Sequence, residues 1–406
     1  MSACPPDSPD SALALNGQTL SGCFDSHAAA DLLSRRPGLL ADSRVFLSQA
    51  NRNAMAQAIA AIEGVIATAG WQEKVLANAG ETAQHPSPVR GVFYGYDFHI
   101  TPEGPRLIEI NTNAGGAFIN AKLLAWQTSA GSQAAAAAVE QDFLAMFQEE
   151  WRLAGHTSPL QRVAIVDETP GEQYLGPDFE YCRELLAAAG IDTAICAPED
   201  LRWENGVLSL AGQPVDMVYN RLTDFALTQP GNDALRQAWL ADGAVVTPHP
   251  RAHALYADKH NLVLLSDPTW LQTLGVSEAD RQCIAAVLPP TELVKADQGD
   301  DLWARRKGLF FKPLSGYGGK AVYRGANVTK RVFADILAGD YVAQVLAPPP
   351  ARTVLVEGAP VELKYDLRCY AYAGRIQLMA ARLWQGQTTN FRTLGGGFAP
   401  VDVLLT

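Results

Sequence analysis

The stretch GVFYGYDFHITPEGPRLIEINTNAGG, residues 91–116, sets Asp97 on one strand-like run and Glu109 and Asn111 on the next, with the turn signal TPEGP between them. Side chains alternate along a strand, so Glu109, Asn111 and Asn113 share one face while Ile108 and Ile110 take the other. A hairpin symmetric about Glu103 brings Asp97 directly opposite Glu109, since each lies six residues from that centre. Opposed Cβ atoms sit roughly 5 Å apart. Two unit charges at that distance repel by about 3 kcal/mol at an effective dielectric of roughly 20. A cation between them reverses the sign. Asn111 adds an oxygen opposite Gly95, which leaves space, and an all-oxygen ligand set selects a hard ion, Mg²⁺ or Mn²⁺. The alternative is an exposed hairpin whose charges are merely solvated.

Three further stretches gather groups that hold anions. GLFFKPLSGYGGKAVYRG, residues 308–325, reads as strand, glycine hairpin, strand. It is not a Walker loop, because Lys320 is followed by Ala321 and Leu314 occupies the first glycine position. Backbone N–H groups over Ser315, Gly316, Tyr317, Gly318 and Gly319 can cover phosphates, and Lys312 adds a point charge. Lys259, in ADKHNLVLL, stands in the first turn of a helix, where the dipole penalises a cation until an anion arrives. In residues 361–398 a second hairpin turns near Ala373-Gly374, with Asp366 and Arg368 on one face. Arg382 joins that face only across a three-residue loop; a two-residue loop sends it to the other side. Arg368, Arg382, Asn390 and Arg392 form a local excess of donors. For each stretch alone, an ordinary turn, a solvated lysine or structural ion pairs remain the alternative.

The elements that must position these groups follow from periodicity. Residues 1 to about 24 read as a loose or draped polar arm. Ser43 to about Ala79 carries apolar residues at helical spacing, as does the region around 117 to 154, whose alanine run predicts a close helix contact. Between 160 and 250, strand-like runs such as RVAIVDE and DMVYNRL alternate with helical ones, which predicts a parallel sheet with helices on its faces. The loop TPGEQYLGP lacks the GxGxxG of a dinucleotide site. Helix and then antiparallel strands fill the rest.

The chain has 406 residues, 48% hydrophobic and 18% charged, enough for several cores. Its formal charge of −11 argues against nucleic acid or an anionic membrane as a main partner. None of the six cysteines forms a CxxC pair, and reduced thiols in a cytoplasmic protein are expected. The start, MSACPPDSPD, lacks the features of a signal peptide, and no apolar run is long enough to span a bilayer.

Together these motifs resemble the ATP-grasp superfamily with its parts in permuted order. A preceding α/β region at 160–250, Lys259, Lys312 with SGYGG, Asp366-x-Arg368 and Arg382…Asn390…GGG at 395–397 follow the superfamily's order. The metal hairpin, which should come last, stands at 97–111. The arrangement resembles the circularly permuted group that includes eukaryotic-type glutathione synthetase and the synthetase half of glutathionylspermidine synthetase, over roughly residues 88 to 406. The resemblance implies an α+β ATP-grasp fold, circularly permuted, with a Rossmann-like α/β preceding domain and an N-terminal helical segment. The expected units are 1–87, 88–155, 156–255 and 256–406. The cofactors implied are ATP with Mg²⁺ or Mn²⁺, the metal on Asp97, Glu109 and Asn111. Lys259 and Lys312 would hold the α/β phosphates, and the Ser315 to Gly319 loop would cover the β/γ groups.

Two departures stand out. Val345 occupies the adenine hinge where many members carry Glu, so adenine would rely on backbone groups near Gln344, Val345 and Leu346. No residue clearly matches the usual ribose-binding acid, for which Glu357 and Glu362 are both candidates. The implied activity is an ATP-dependent carboxylate–amine ligase acting on small molecules, with Arg368, Arg382, Asn390 and Arg392 around the reacting group and Arg221 gripping a substrate carboxylate. A phosphotransferase or a catalytically weak nucleotide-binding regulator on the same scaffold is the alternative, and a homo-oligomer is compatible with either.

Overall fold

The computed structural model describes residues 9–129, 131–314 and 321–404. A seven-stranded sheet forms its centre. The order is Val45–Ser48, Gly397–Leu404, Arg375–Trp384, Ala359–Tyr372, Tyr94–Thr101, Gly104–Asn111, and Ala351–Val356 also pairs with the long strand Ala359–Tyr372. The first hairpin thus lies beside a strand more than 250 residues downstream, with Asp97 opposite Arg368. One face packs on the helix Gln49–Ile66 through Met55, Ile59 and Ile62. The other face packs on Ala117–Ala125 and Ser132–Leu153 through Phe118, Phe143 and Phe147.

Three smaller sheets surround it. Val245–Thr247, Met217–Asn220, Arg162–Val166 and Asp192–Cys196 run parallel in that order. Thr291–Leu293, Tyr341–Val345, Leu309–Pro313 and Tyr323–Arg324 run antiparallel, giving the two expected strands on either side of residues 315–320. Leu201–Glu204, Val207–Leu210 and Gln213–Pro214 form a short meander. Among the described residues no single helix is long and apolar enough to cross a membrane.

Two sequence expectations are corrected here, and the loose or draped arm is narrowed to the second of its alternatives. Val45 and Phe46 do not begin a helix; Val45–Ser48 is an edge strand parallel to Gly397–Leu404, and Ser48 then caps Gln49–Ile66. The N-terminal arm is docked from residue 9 onward. Asn16 bonds both backbone groups of Phe46, and the fully buried Arg352 donates to Ser43, to the Leu15 carbonyl and to Asn16 Oδ1. The alanine run is no close contact, since Ala134, Ala135, Ala137 and Ala138 face solvent and only Ala136 is buried.

Candidate active site

The first hairpin closes on a two-residue turn, with Thr101 opposite Gly104, which by itself would pair Asp97 with Ile108. A register shift between Asp97 and Phe98 makes Ile108 the extra residue of a β-bulge, and Asp97 faces Glu109 after all. The bulge also changes the faces. Leu107 and Ile110 are buried in the core, whereas Ile108, expected beside Ile110, lines a cavity of about 340 Å³ together with Asp97, Glu109 and Asn111. The second hairpin uses the same device. Tyr372 pairs with Arg375 across a two-residue turn, a shift at Tyr370/Ala371 absorbs Gln377, and Arg382 arrives opposite Asp366 on the cavity side.

Asp97 does not wait for a cation to relieve repulsion. Arg368 grips it through two bonds of 2.7 Å, Arg382 adds a third at 2.9 Å, and Asn111 Nδ2 donates to the same carboxylate at 3.1 Å. Burial alone would raise the Asp97 pKa, but the two guanidinium groups hold it below the usual carboxylate range. Arg382 also forks onto Asp366, which accepts from Thr389 as well. Glu109 is the least engaged of the three acids, with an ion pair to Lys259 at 3.5 Å.

Lys312 and Lys259 reach the same cavity. Lys312 Nζ donates to the carbonyl of the bulged Ile108 at 2.7 Å and to Gln344 Oε1 at 2.8 Å. Its pKa falls to about 8, mainly through burial; Glu109 opposes that fall and Lys259 reinforces it. Lys259 is the N-cap of the short helix His260–Leu265 and is buried. At the opposite end the cavity is apolar, lined by Phe310, Val345, Leu346, Pro349 and Trp384. His99, on the same strand face as Asp97, lies there with Nδ1 2.7 Å from the Ala347 carbonyl, and burial lowers its pKa.

The hinge residues Gln344, Val345 and Leu346 line the cavity as expected, but the Val345 N–H bonds Pro290, the Leu346 N–H bonds Gly308 and the Gln344 side chain turns to Lys312, so these three offer a base their backbone carbonyls. Other expected residues are not gathered. Asn390 staples its own loop, donating to the Gln385 and Thr388 carbonyls and accepting from Arg392 N–H and Thr393. Arg392 is exposed and does not line the cavity, and Glu357 and Glu362 are exposed on the far hairpin. Ser315, Gly316, Tyr317, Gly318 and Gly319 lie outside the described residues. His99 was legible by alternation from Asp97; Thr389 carried no pattern.

A second cavity of about 480 Å³ shares Glu109, Asn111 and Lys259 with the first. It opens at the carboxyl ends of Arg162–Val166 and Met217–Asn220, adjacent parallel strands between which the chain order reverses. Such a switch point leaves a crevice for ligands. Asp167 and Arg221 stand at the two strand ends. Arg221 bonds the Asn113 side chain and lies over the Tyr219 ring, while its buried Nε has no partner among the described residues. Tyr174 on this chamber stacks on Phe391 of the other, rings 6.1 Å apart.

A hard cation fits this wall with fewer protein ligands than expected. Asn111 is oriented by its bond to Asp97, which leaves Oδ1 open beside Glu109, whereas both Asp97 oxygens serve arginine forks. Among the described residues no group of three or more His, Cys, Asp or Glu is placed to hold a metal. One carboxylate and one amide suit Mg²⁺, which keeps water and phosphate oxygens in its shell.

No family model matches the chain, and no curated protein matches it. Solved structures do. A glutathione synthetase-like effector from Globodera pallida, in its apo form, superposes with a TM-score of 0.59 at 14% identity, covering 93% of this chain and 96% of that one. A gamma-glutamylcysteine synthetase-like protein from Methylobacillus flagellatus gives 0.47 at 9%, over 93% and 87%. The ATP-grasp ligase PsnB, complexed with a precursor variant, Mg and ADP, gives 0.32 at 14%, over 60% and 88%. The first of these likenesses shows a shared fold over nearly the whole of both chains.

Proposed function

We propose that the chain is an ATP-dependent ligase joining a carboxylate to an amine, built on a circularly permuted ATP-grasp scaffold with a Rossmann-like preceding unit. The observation that carries this reading is the shared wall: Glu109, Asn111 and Lys259 line both cavities. A triphosphate in the first chamber and a carboxylate in the second would meet there. The carboxylate takes the γ-phosphoryl group and ADP leaves; an amine then attacks the acyl carbon and phosphate departs. Glu109 and Asn111 Oδ1 would hold Mg²⁺ or Mn²⁺, which supplies charge neutralisation to the phosphates. Lys259 and Lys312 would hold phosphate oxygens, Arg368 and Arg382 would frame the reacting group, and Arg221 would orient the carboxylate.

ADP release should require an acid and an amine together. Release with an acid alone would favour a phosphotransferase. Binding of Mg·ADP without turnover across pairs of amino acids, small peptides and polyamines would favour a regulator.

The Lys312 pKa gives a pH signature with a definite sign. With a value of about 8, the ammonium is present at pH 7 and is lost as pH rises. Bound phosphate favours the charged form, so Mg·ADP affinity should fall roughly tenfold between pH 7 and 9. Calorimetry on wild type and Lys312→Met checks this: the variant should bind more weakly at pH 7 and lose most of the slope.

A further inference from the structure

The nucleotide cavity has a charged end and an apolar end, and only the charged end is explained by phosphate and metal. At the apolar end the Val345 and Leu346 amides cannot donate to a base, because they are spent on Pro290 and Gly308. His99 brings the opposite chemistry. A carbonyl only accepts, so the 2.7 Å contact with Ala347 O fixes the proton on Nδ1 and leaves Nε2 as an acceptor in the neutral ring. Nε2 has no partner among the described residues and is not among the sealed, unsatisfied atoms, and the ring lines the cavity. The same cavity is lined by the hinge residues Leu346 and Ala347 and by the apolar Phe310, Pro349 and Trp384, which suit a flat base.

We propose that His99 reads the nucleobase, its Nε2 accepting a hydrogen bond from the 6-amino group of adenine. An acceptor beside hinge carbonyls faces a donor on adenine and another acceptor, O6, on hypoxanthine or guanine. The discrimination comes from leaving acceptors unpaired against O6, which costs far more than the bond gains. This inference rests on the nucleotide reading above.

The test is calorimetric binding of Mg·ADP, Mg·IDP and the diphosphate of unsubstituted purine riboside to wild type and His99→Phe. Wild type should bind ADP roughly 10- to 100-fold more tightly than IDP, with the unsubstituted purine between them. His99→Phe should bring ADP and IDP to within about threefold. Histidine ¹⁵N spectra of the wild type serve if that variant does not fold: the His99 Nε2 resonance should move with ADP and not with IDP. Equal ADP and IDP affinity in wild type, a preference surviving in folded His99→Phe, or an Nε2 resonance indifferent to ADP would each overturn the role of His99 while leaving the nucleotide site standing. Failure of wild type to bind any of the three diphosphates would overturn both.

Discussion

Replacing Glu109 by Gln should slow ATP turnover by roughly 10²–10³-fold, the usual cost of removing one charge-stabilising group from a preorganised site, while leaving the fold in place. The two halves of that expectation come from different parts of the geometry. Asp97 and Asp366 are each forked by guanidinium groups, so their charge is already balanced. Glu109 retains capacity, with an ion pair at 3.5 Å and a side chain that is 35% exposed. A pair that loose contributes at most about 1 kcal/mol to stability. Gln keeps the size and removes the charge that would face a metal–phosphate group. Steady-state ADP release and chemical unfolding measured on the same preparation separate the effects. Normal turnover would remove Glu109 from the reaction; a large loss of stability would show that the acid serves the fold instead.

How much of this was legible before folding depends on what each residue needed. Residue type and spacing pointed to Asp97, Glu109, Lys312, Arg368 and Arg382, and all five line one cavity. The path by which they meet was not legible. For the first hairpin a turn centred on Glu103 predicts the observed Asp97–Glu109 pair, yet the chain reaches it through a two-residue turn and a bulge at Ile108. For the second hairpin both loop lengths were open, and the observed two-residue turn would have excluded Arg382 without the extra residue Gln377. A bulge has a local signature only in hindsight. Leu107 and Ile110, both buried, are three apart, a spacing that an unbroken strand of period two cannot place on one face.

Partner choice was harder still. Repulsion between Asp97 and Glu109 was a sound reading of two strands, but the next two strands bring two arginines, and tertiary neighbours decide the electrostatics. The same holds for the hinge. YVAQVLAP reads as free backbone until Pro290 and Gly308 are seen to take the Val345 and Leu346 amides. Asn390 and Arg392 sit in a loop whose own hydrogen bonds consume the asparagine, a local competition that side chains of this type favour.

Asp97→Ala should be the most damaging single change to stability, lowering it by about 3–5 kcal/mol, the range for breaking a buried ion pair from one side. The Asp97 side chain is 5% exposed and those of Arg368 and Arg382 10% and 11%. Removing it leaves Arg368 with neither of its carboxylate bonds and Arg382 with Asp366 alone. The charges cannot simply relax into water, because the four residues sit on three adjacent strands at the middle of the large sheet. Asn111 would also lose the acceptor that orients its amide. The loss therefore belongs chiefly to stranded cations, and a second change tests that. Arg368→Met in the Asp97→Ala background should restore part of the stability, giving a coupling energy of roughly 1–3 kcal/mol in chemical unfolding of the four members of the cycle. Additive losses would mean that Asp97 contributes by packing and not by charge. A single-variant loss under about 1 kcal/mol would mean that water reaches the ladder, and that the same residues are free to move when anions enter.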